Sequence, residues 1–171
     1  MIDLTNIDGV IFDLDGTLVE SSLDFAQIRA DIGCPEGVDV LHFIEQLPDE
    51  QRQHAHAVVL SHELDDARLS NWLSGAQEFV LKTLEQQLPM AIVTRNCRAA
   101  TERKIQQNNI PIDCIITRED APAKPKPDAL IMIAQLWQLP AHRLIYIGDY
   151  IYDEQAAINA GMQFCYSPFG Q

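Results

Sequence analysis

The hydrophobic residues of this chain follow two different rhythms. From about Gly75 onward, short apolar runs alternate with stretches of helical spacing. Phe79, Val80 and Leu84 recur on one helix face within residues 76–87, and MAIVT, ending at Thr94, follows as a short strand-like run. Residues 99–108 predict a second helix leading to the apolar run CIIT at Cys114, and residues 129–139 a third with Asp128 as its N-cap. RLIYIGD then predicts a buried strand, residues 154–160 a helix ended by Gly161, and MQFCY a last strand. Short apolar strands separated by helices require crossover connections, and so a parallel sheet.

Residues 20–74 depart from that rhythm. Phe25, Ile28 and Ile32 share one helical face, Val40, Phe43, Ile44 and Leu47 another, and residues 57–72 support one or two further helices. Pro35, Gly37 and Pro48 punctuate the stretch as loops, and it carries no strand pattern. There is no internal repeat and no low-complexity tract. The expected architecture is an α/β fold with a Rossmann-like parallel sheet core flanked by helices. Residues 1–19 and 75–171 build this core, which opens after its first strand to admit a small helical insertion over residues 20–74.

Composition narrows the range of partners. With 47% hydrophobic residues among 171, the chain buries one sizeable core. A net charge of −13 argues against nucleic acid and anionic membrane surfaces, which call for a basic footprint. A small phosphate remains compatible, provided that a metal ion supplies positive charge locally. Unbroken apolar runs such as residues 57–60 fall far short of the roughly 20 residues that cross a bilayer. The opening MIDLTNID lacks the basic region of a signal peptide, so the chain reads as cytoplasmic. Cys34, Cys97, Cys114 and Cys165 are scattered without a CxxC pair and read as free thiols. His54, His56 and His62 have spacings that do not bring three side chains onto one helical face, so a solvated helix accounts for them better than a metal site.

The chemistry gathers at predicted strand ends. VIFDLDGTL ends a buried run in Asp13 and Asp15; Thr94 ends MAIVT; Asp149 ends LIYIGD. In an open parallel sheet these positions meet at the carboxyl edge, where ligands bind, and the loop APAKPKPD carries Lys124, with Lys126 as its competitor, within reach of it. Carboxylates ~4 Å apart repel by about 4 kcal/mol even at an effective dielectric constant near 20, so such a cluster calls for a cation. Oxygen-only ligation suits Mg²⁺, with Asp13, Asp149 and Asp153 as candidate ligands. Counting Mg²⁺ and Lys124 against Asp13, Asp15, Asp149 and Asp153 leaves one negative charge, and a proton on Asp15 would neutralise it and equip a general acid. Arg95 and Asn96 either touch substrate or cap the following helix, and Thr17 is either a cap or a partner of Asp15.

DLDGTL, the Thr94 strand end, KPKPD and GDYIYD, in this order, resemble the four signature motifs of the haloacid dehalogenase superfamily of hydrolases. The resemblance implies a haloacid dehalogenase-like core in which Asp13 attacks phosphorus to form an aspartyl-phosphate. It implies that Asp15 serves as acid and then base while its carbonyl ligates Mg²⁺. Thr94 would bind the phosphoryl oxygens, with backbone N–H groups just after it, Lys124 would hold phosphate and Asp13, and Asp149 and Asp153 would hold the metal directly or through water. Asp15, absent from the family's carbon–halogen enzymes, points to phosphate esters. The insert resembles the helical cap of phosphoglycolate-phosphatase-like members, although at about 55 residues it is short for one. Glu20, Tyr150 and Ala123 depart from the usual Asp, Ser and Gly without removing a catalytic group. The expected activity is hydrolysis of a small phosphorylated metabolite, phosphoglycolate being the nearest guess. A phosphomutase and a non-catalytic binding protein on the same fold stand as alternatives.

Overall fold

Val10, Ile11 and Phe12 have no solvent exposure, because the strand that carries them is the middle of a sheet with helices on its faces. A computed structural model describes residues 2–170. Its elements run β1 (Gly9–Phe12), α1 (Phe25–Ile32), α2 (Val40–Glu45), α3 (Asp49–Ala67), α4 (Ala76–Glu85), β2 (Met90–Val93) and α5 (Arg98–Asn108). They continue β3 (Cys114–Ile116), α6 (Asp128–Trp137), β4 (Leu144–Gly148), α7 (Ile151–Ala160) and β5 (Gln163–Tyr166). The five strands are parallel, in the order β3-β2-β1-β4-β5. The order reverses beside β1, and that crevice is the switch point at which an open sheet offers a ligand site.

Two apolar layers cover the sheet. Val10, Phe12, Val80, Ile92 and Ile147 pack on one side, and Ile11, Ala91, Leu130, Ile133, Tyr146 and Ala157 on the other. Burying each of the large aliphatic side chains contributes roughly 1.5–3 kcal/mol, which explains why the strand positions show no polar alternation. Helices α1–α3 have a cluster of their own, in which Ile28, Val40, Ile44, Ala55 and Val59 are buried together. Phe25, expected on the inward face of α1, is instead 53% exposed at its first turn.

Element ends moved where capping chemistry decided them. Asp24 caps α1 by accepting from Gln27 N, and Asp39 caps α2 by accepting from His42 N. α3 is one helix of 19 residues where residues 57–72 left one or two; it starts earlier, at Asp49, and stops at Ala67, so residues 68–72 are not helical. Asp128 sits in the first turn of α6 after Pro127 and is not its N-cap. α7 starts at Ile151, three residues before the expected start, because the Asp153 carboxylate accepts from the backbone N–H of Tyr150 and Asp149 and so satisfies the entering turn. Among the described residues no helix is long and apolar enough to cross a membrane, and all four cysteines are free.

Candidate active site

The sheet registers bring the motif residues to one edge. Asp13 N donates to Ile147 O at 2.9 Å and Thr94 N to Ile116 O at 3.0 Å, so both residues extend the ladder just past the last strand positions. Asp149 follows β4 directly. The turn after Asp13 closes tightly, because Gly16 adopts φ 76° and a Cβ there would lie 2.3 Å from Asp149 Oδ2. Gly148 is held to glycine in the same way, since its Cβ would meet Asp153 Cβ at 2.5 Å. Gly16 therefore lets the DLDGTL turn touch the Asp149 loop, and Gly148 lets Asp153 fold back against its own loop.

Lys124 is 4% exposed and lies at the centre of the cluster. Its three N–H groups face Asp13 Oδ1 at 2.7 Å, Asp153 Oδ1 at 2.6 Å and Tyr146 Oη at 2.7 Å, with the Val93 carbonyl as a longer contact at 3.3 Å. Burial alone would lower the lysine's pKa, but the Asp13 and Asp153 carboxylates outweigh it and hold the ammonium form. Burial pushes the Asp13 carboxyl well above the ordinary range; Lys124 opposes that, and Asp153 and Asp149 add to it by repulsion. Asp149 opens to solvent, yet the protein desolvates it enough to raise its carboxyl, with Asp153 again contributing.

Lys124 offsets one of the three carboxylates here, and the cluster has the oxygens to take a cation. Asp13, Asp149 and Asp153 offer carboxylate oxygens within 4.8 Å of one another, an oxygen-only set that suits a hard cation such as Mg²⁺. The three are not equivalent. Asp153 is 1% exposed, with Oδ1 on Lys124 and Tyr146 and Oδ2 on two backbone N–H groups, so its lone pairs are largely committed. Asp13 commits one oxygen to Lys124, and Asp149 faces the cleft.

Asp15 has partners that the charge count left out. Its Oδ2 accepts from Asn96 Nδ2 at 2.9 Å, and its Oδ1 contacts the ammonium of Lys104, a fully buried residue of α5 that also donates to Asp66 Oδ2 at 2.6 Å. Burial opposes the Lys104 charge, and Asp15 and Asp66 override it and raise its pKa. Lys104 and Asp66 enter the charge balance with opposite signs and leave its sum unchanged. A cation nonetheless abuts Asp15, so charge counting does not single out that residue for the proton. Neither Arg95 nor Asn96 caps α5; Cys97 does, through Sγ to Ala100 N. Arg95 pairs with Asp39 at 2.6 Å and lies 4.8 Å over the Tyr152 ring. Thr94 Oγ1 accepts from Asn96 N at 3.0 Å. Thr17 is buried with its hydroxyl unpartnered, so it neither caps a helix nor binds Asp15.

All eight predicted site residues line one cleft of about 640 Å³: Asp13, Asp15, Thr94, Arg95, Asn96, Lys124, Asp149 and Asp153. The opposite wall comes from the helical insert, including Leu23, Phe25, Ile28, Arg29, Asp39 and Val59. The sequence reading missed Lys104, Asp66, Tyr146 and Asp39. Lys104 had one available signal, its i, i+4 relation to Ala100 and Asn108 on the inward stripe of α5, and Tyr146 lay inside an apolar strand run that hid its hydroxyl.

A model of the haloacid dehalogenase-like hydrolase family matches residues 23–166. The chain belongs to this family. The hydrolase is 28% identical over 163 residues to a haloacid dehalogenase-like hydrolase domain-containing protein of Arabidopsis thaliana, covering 89% of this chain and 66% of that one. It is 32% identical over 168 residues to an uncharacterized hydrolase of Saccharomyces cerevisiae, covering 92% of this chain and 76% of the relative. In fold it resembles a crystal structure described as a predicted phosphoglycolate phosphatase from Haemophilus somnus. The TM-score is 0.73 at 19% identity, over 95% of this chain and 85% of the other.

Proposed function

We propose that the hydrolase is a Mg²⁺-dependent phosphomonoesterase acting on a small phosphorylated metabolite through an aspartyl-phosphate on Asp13. The observation that carries this reading is the contact of Lys124 Nζ with Asp13 Oδ1, 2.7 Å, on the floor of a cleft that also holds Asp15, Asp149 and Thr94. An attacking carboxylate must stay anionic beside other carboxylates while a dianionic phosphate approaches. Lys124 supplies one of the charges that make this possible.

Asp13 forms the new O–P bond as the ester P–O bond breaks, and the departing oxygen takes the proton of Asp15. Water then attacks phosphorus, Asp15 accepts its proton, and the bond to Asp13 breaks to release phosphate. Asp13, Asp149 and the Asp15 carbonyl would hold Mg²⁺, with Asp153 bracing the Asp149 loop through its two backbone contacts. When bound, the cation neutralises charge developing on the transferred phosphoryl group. Thr94 and the Arg95 N–H beyond it would face the phosphoryl oxygens, with Lys124 on their other side, since the Asn96 and Cys97 N–H groups are spent on Thr94 Oγ1 and Asn96 Oδ1. Residues 20–74 act as a small cap over a core of residues 1–19 and 75–171, and Arg95 and Asn96 stand where the leaving group meets the core.

The test is hydrolysis of para-nitrophenyl phosphate with Mg²⁺. Turnover should vanish on chelation and in Asp13→Asn. A phosphate-ester panel without any turnover would overturn the reading.

A further inference from the structure

Asp15 is held from two directions. Asn96 is itself fixed, because its Oδ1 accepts from Cys97 N at 2.9 Å while its own N–H donates to Thr94 Oγ1, so its Nδ2 is aimed at Asp15 Oδ2. From the other direction comes Lys104, without solvent exposure, on the inward stripe of α5 with Ala100, Thr101 and Asn108. A buried ammonium is costly without partners. Its second partner, Asp66, is 7% exposed near the end of α3 and accepts from Ser22 N at 2.6 Å and Ser21 Oγ at 3.1 Å. Ser21 and Ser22 lie on the segment leaving the core, and Asp66 lies where the chain prepares to return. One ammonium therefore joins Asp15 to both crossings between core and insert.

We propose that Lys104, anchored by Asp66, is a positioning residue that fixes Asp15 for proton transfer and ties its placement to the seating of helices α1–α3. The inference rests on the proposed role of Asp15 as general acid. A purely structural clamp would not require Asp15. Arg118 already grips Glu63 through both carboxylate oxygens, and Arg95 grips Asp39, so two other ion pairs fasten the insert to the core. Lys104 differs from both arginines in that its ammonium contacts Asp15 itself while it holds the insert through Asp66.

The chemistry separates these roles. An alkyl phosphate leaves as a poor alkoxide and needs the proton from Asp15, whereas 2,4-dinitrophenyl phosphate departs readily without one. The ratio kcat/KM reports only the steps up to the first P–O cleavage, so phosphoenzyme hydrolysis does not blur the comparison. The two substrates are compared in the wild type, Asp15→Asn, Lys104→Met and the double variant Lys104→Met/Asp66→Asn, with folding checked by circular dichroism. The double variant removes both buried charges and so avoids the unpaired Asp66 that the single one leaves. In either Lys104 variant kcat/KM for the alkyl phosphate should fall about 10- to 100-fold, part of the roughly 10²- to 10⁴-fold that general acid–base catalysis supplies, while the dinitrophenyl value changes less than about threefold. An equal fall on both substrates, or none, while Asp15→Asn keeps its selective loss, overturns the positioning role and leaves the proposed function standing. A wild type inactive on both, or an Asp15→Asn enzyme without selectivity, overturns the general-acid reading and this inference with it.

Discussion

Lys124 and Asp153 meet at 2.6 Å in a place where neither has water to turn to, at 4% and 2% side-chain exposure. Their contact links two loops that are otherwise separate, since Asp153 also carries the N–H groups of Asp149 and Tyr150. The loop that presents Asp149 is thereby pinned to the residue that neutralises Asp13.

Removing the lysine should accordingly damage more than catalysis. Lys124→Met leaves Asp13 and Asp153 buried without their cation, a change that typically costs about 3–5 kcal/mol. Urea unfolding should show a lower midpoint with an unchanged slope. A loss under about 1 kcal/mol would mean that the carboxylates find compensation elsewhere.

Divalent cation should stabilise the fold independently of turnover. At Mg²⁺ about 100-fold above its dissociation constant, linkage contributes about 2.7 kcal/mol, or a rise of roughly 5–10 °C in Tm for a domain of this size. Scanning calorimetry should record that rise, and Asp149→Asn should abolish most of it. An undiminished shift in the variant would place the cation away from this cluster.

Two glycines with the same backbone angle separate strain from collision. Gly16 (φ 76°) and Gly33 (φ 72°) are both left-handed, but a Cβ at Gly33 meets nothing within 4 Å, whereas at Gly16 it strikes the Asp149 carboxylate. Gly33→Ala should cost about 1–2 kcal/mol of stability and leave turnover intact. Gly16→Ala should cost at least as much and lower kcat on the order of 100-fold by displacing Asp149. Chemical unfolding and steady-state kinetics on the pair decide the matter, and equal kinetics would refute it.

Acid sensitivity should register at the Arg98–Asp120 pair. Hydrogen bonding to Arg98, first among several causes, holds the Asp120 carboxyl down to about 2 from its usual 3.8. The native state therefore takes up this proton less readily than the unfolded chain. The stabilisation is complete above about pH 4 and disappears as pH falls through about 2. The stability difference between wild type and Asp120→Asn should shrink over that window in pH-dependent urea melts. A constant difference would assign the pair no linkage.

The reach of the sequence shows in how these residues were found. Asp13, Thr94 and Asp149 were legible because each follows a strand-length apolar run, and the parallel rule sends all such ends to one edge. Lys104 was illegible for the opposite reason. Its partner Asp15 lies 89 positions away and its partner Asp66 lies 38 away, and a lysine in TERKIQQNN has the pattern of a solvated helix. Arg95 lay open between substrate and helix cap, and the structure gives it Asp39, 56 positions off, which at the same time caps α2.

By itself the sequence determined the alternation of strands and helices, the helical interruption after β1 and the set of acids and lysine at the sheet edge. These follow from a helical spacing of three to four residues, from strand-length apolar runs and from the direction that parallel strands impose. Only the tertiary structure decided which carboxylate each cation holds, that Asp153 spends its oxygens on Lys124 and two backbone N–H groups, and that the insert reaches Asp15 through Asp66 and Lys104. Such pairings depend on how helices dock across the sheet edge, and a periodicity that spans one or two turns carries no record of partners tens of residues away.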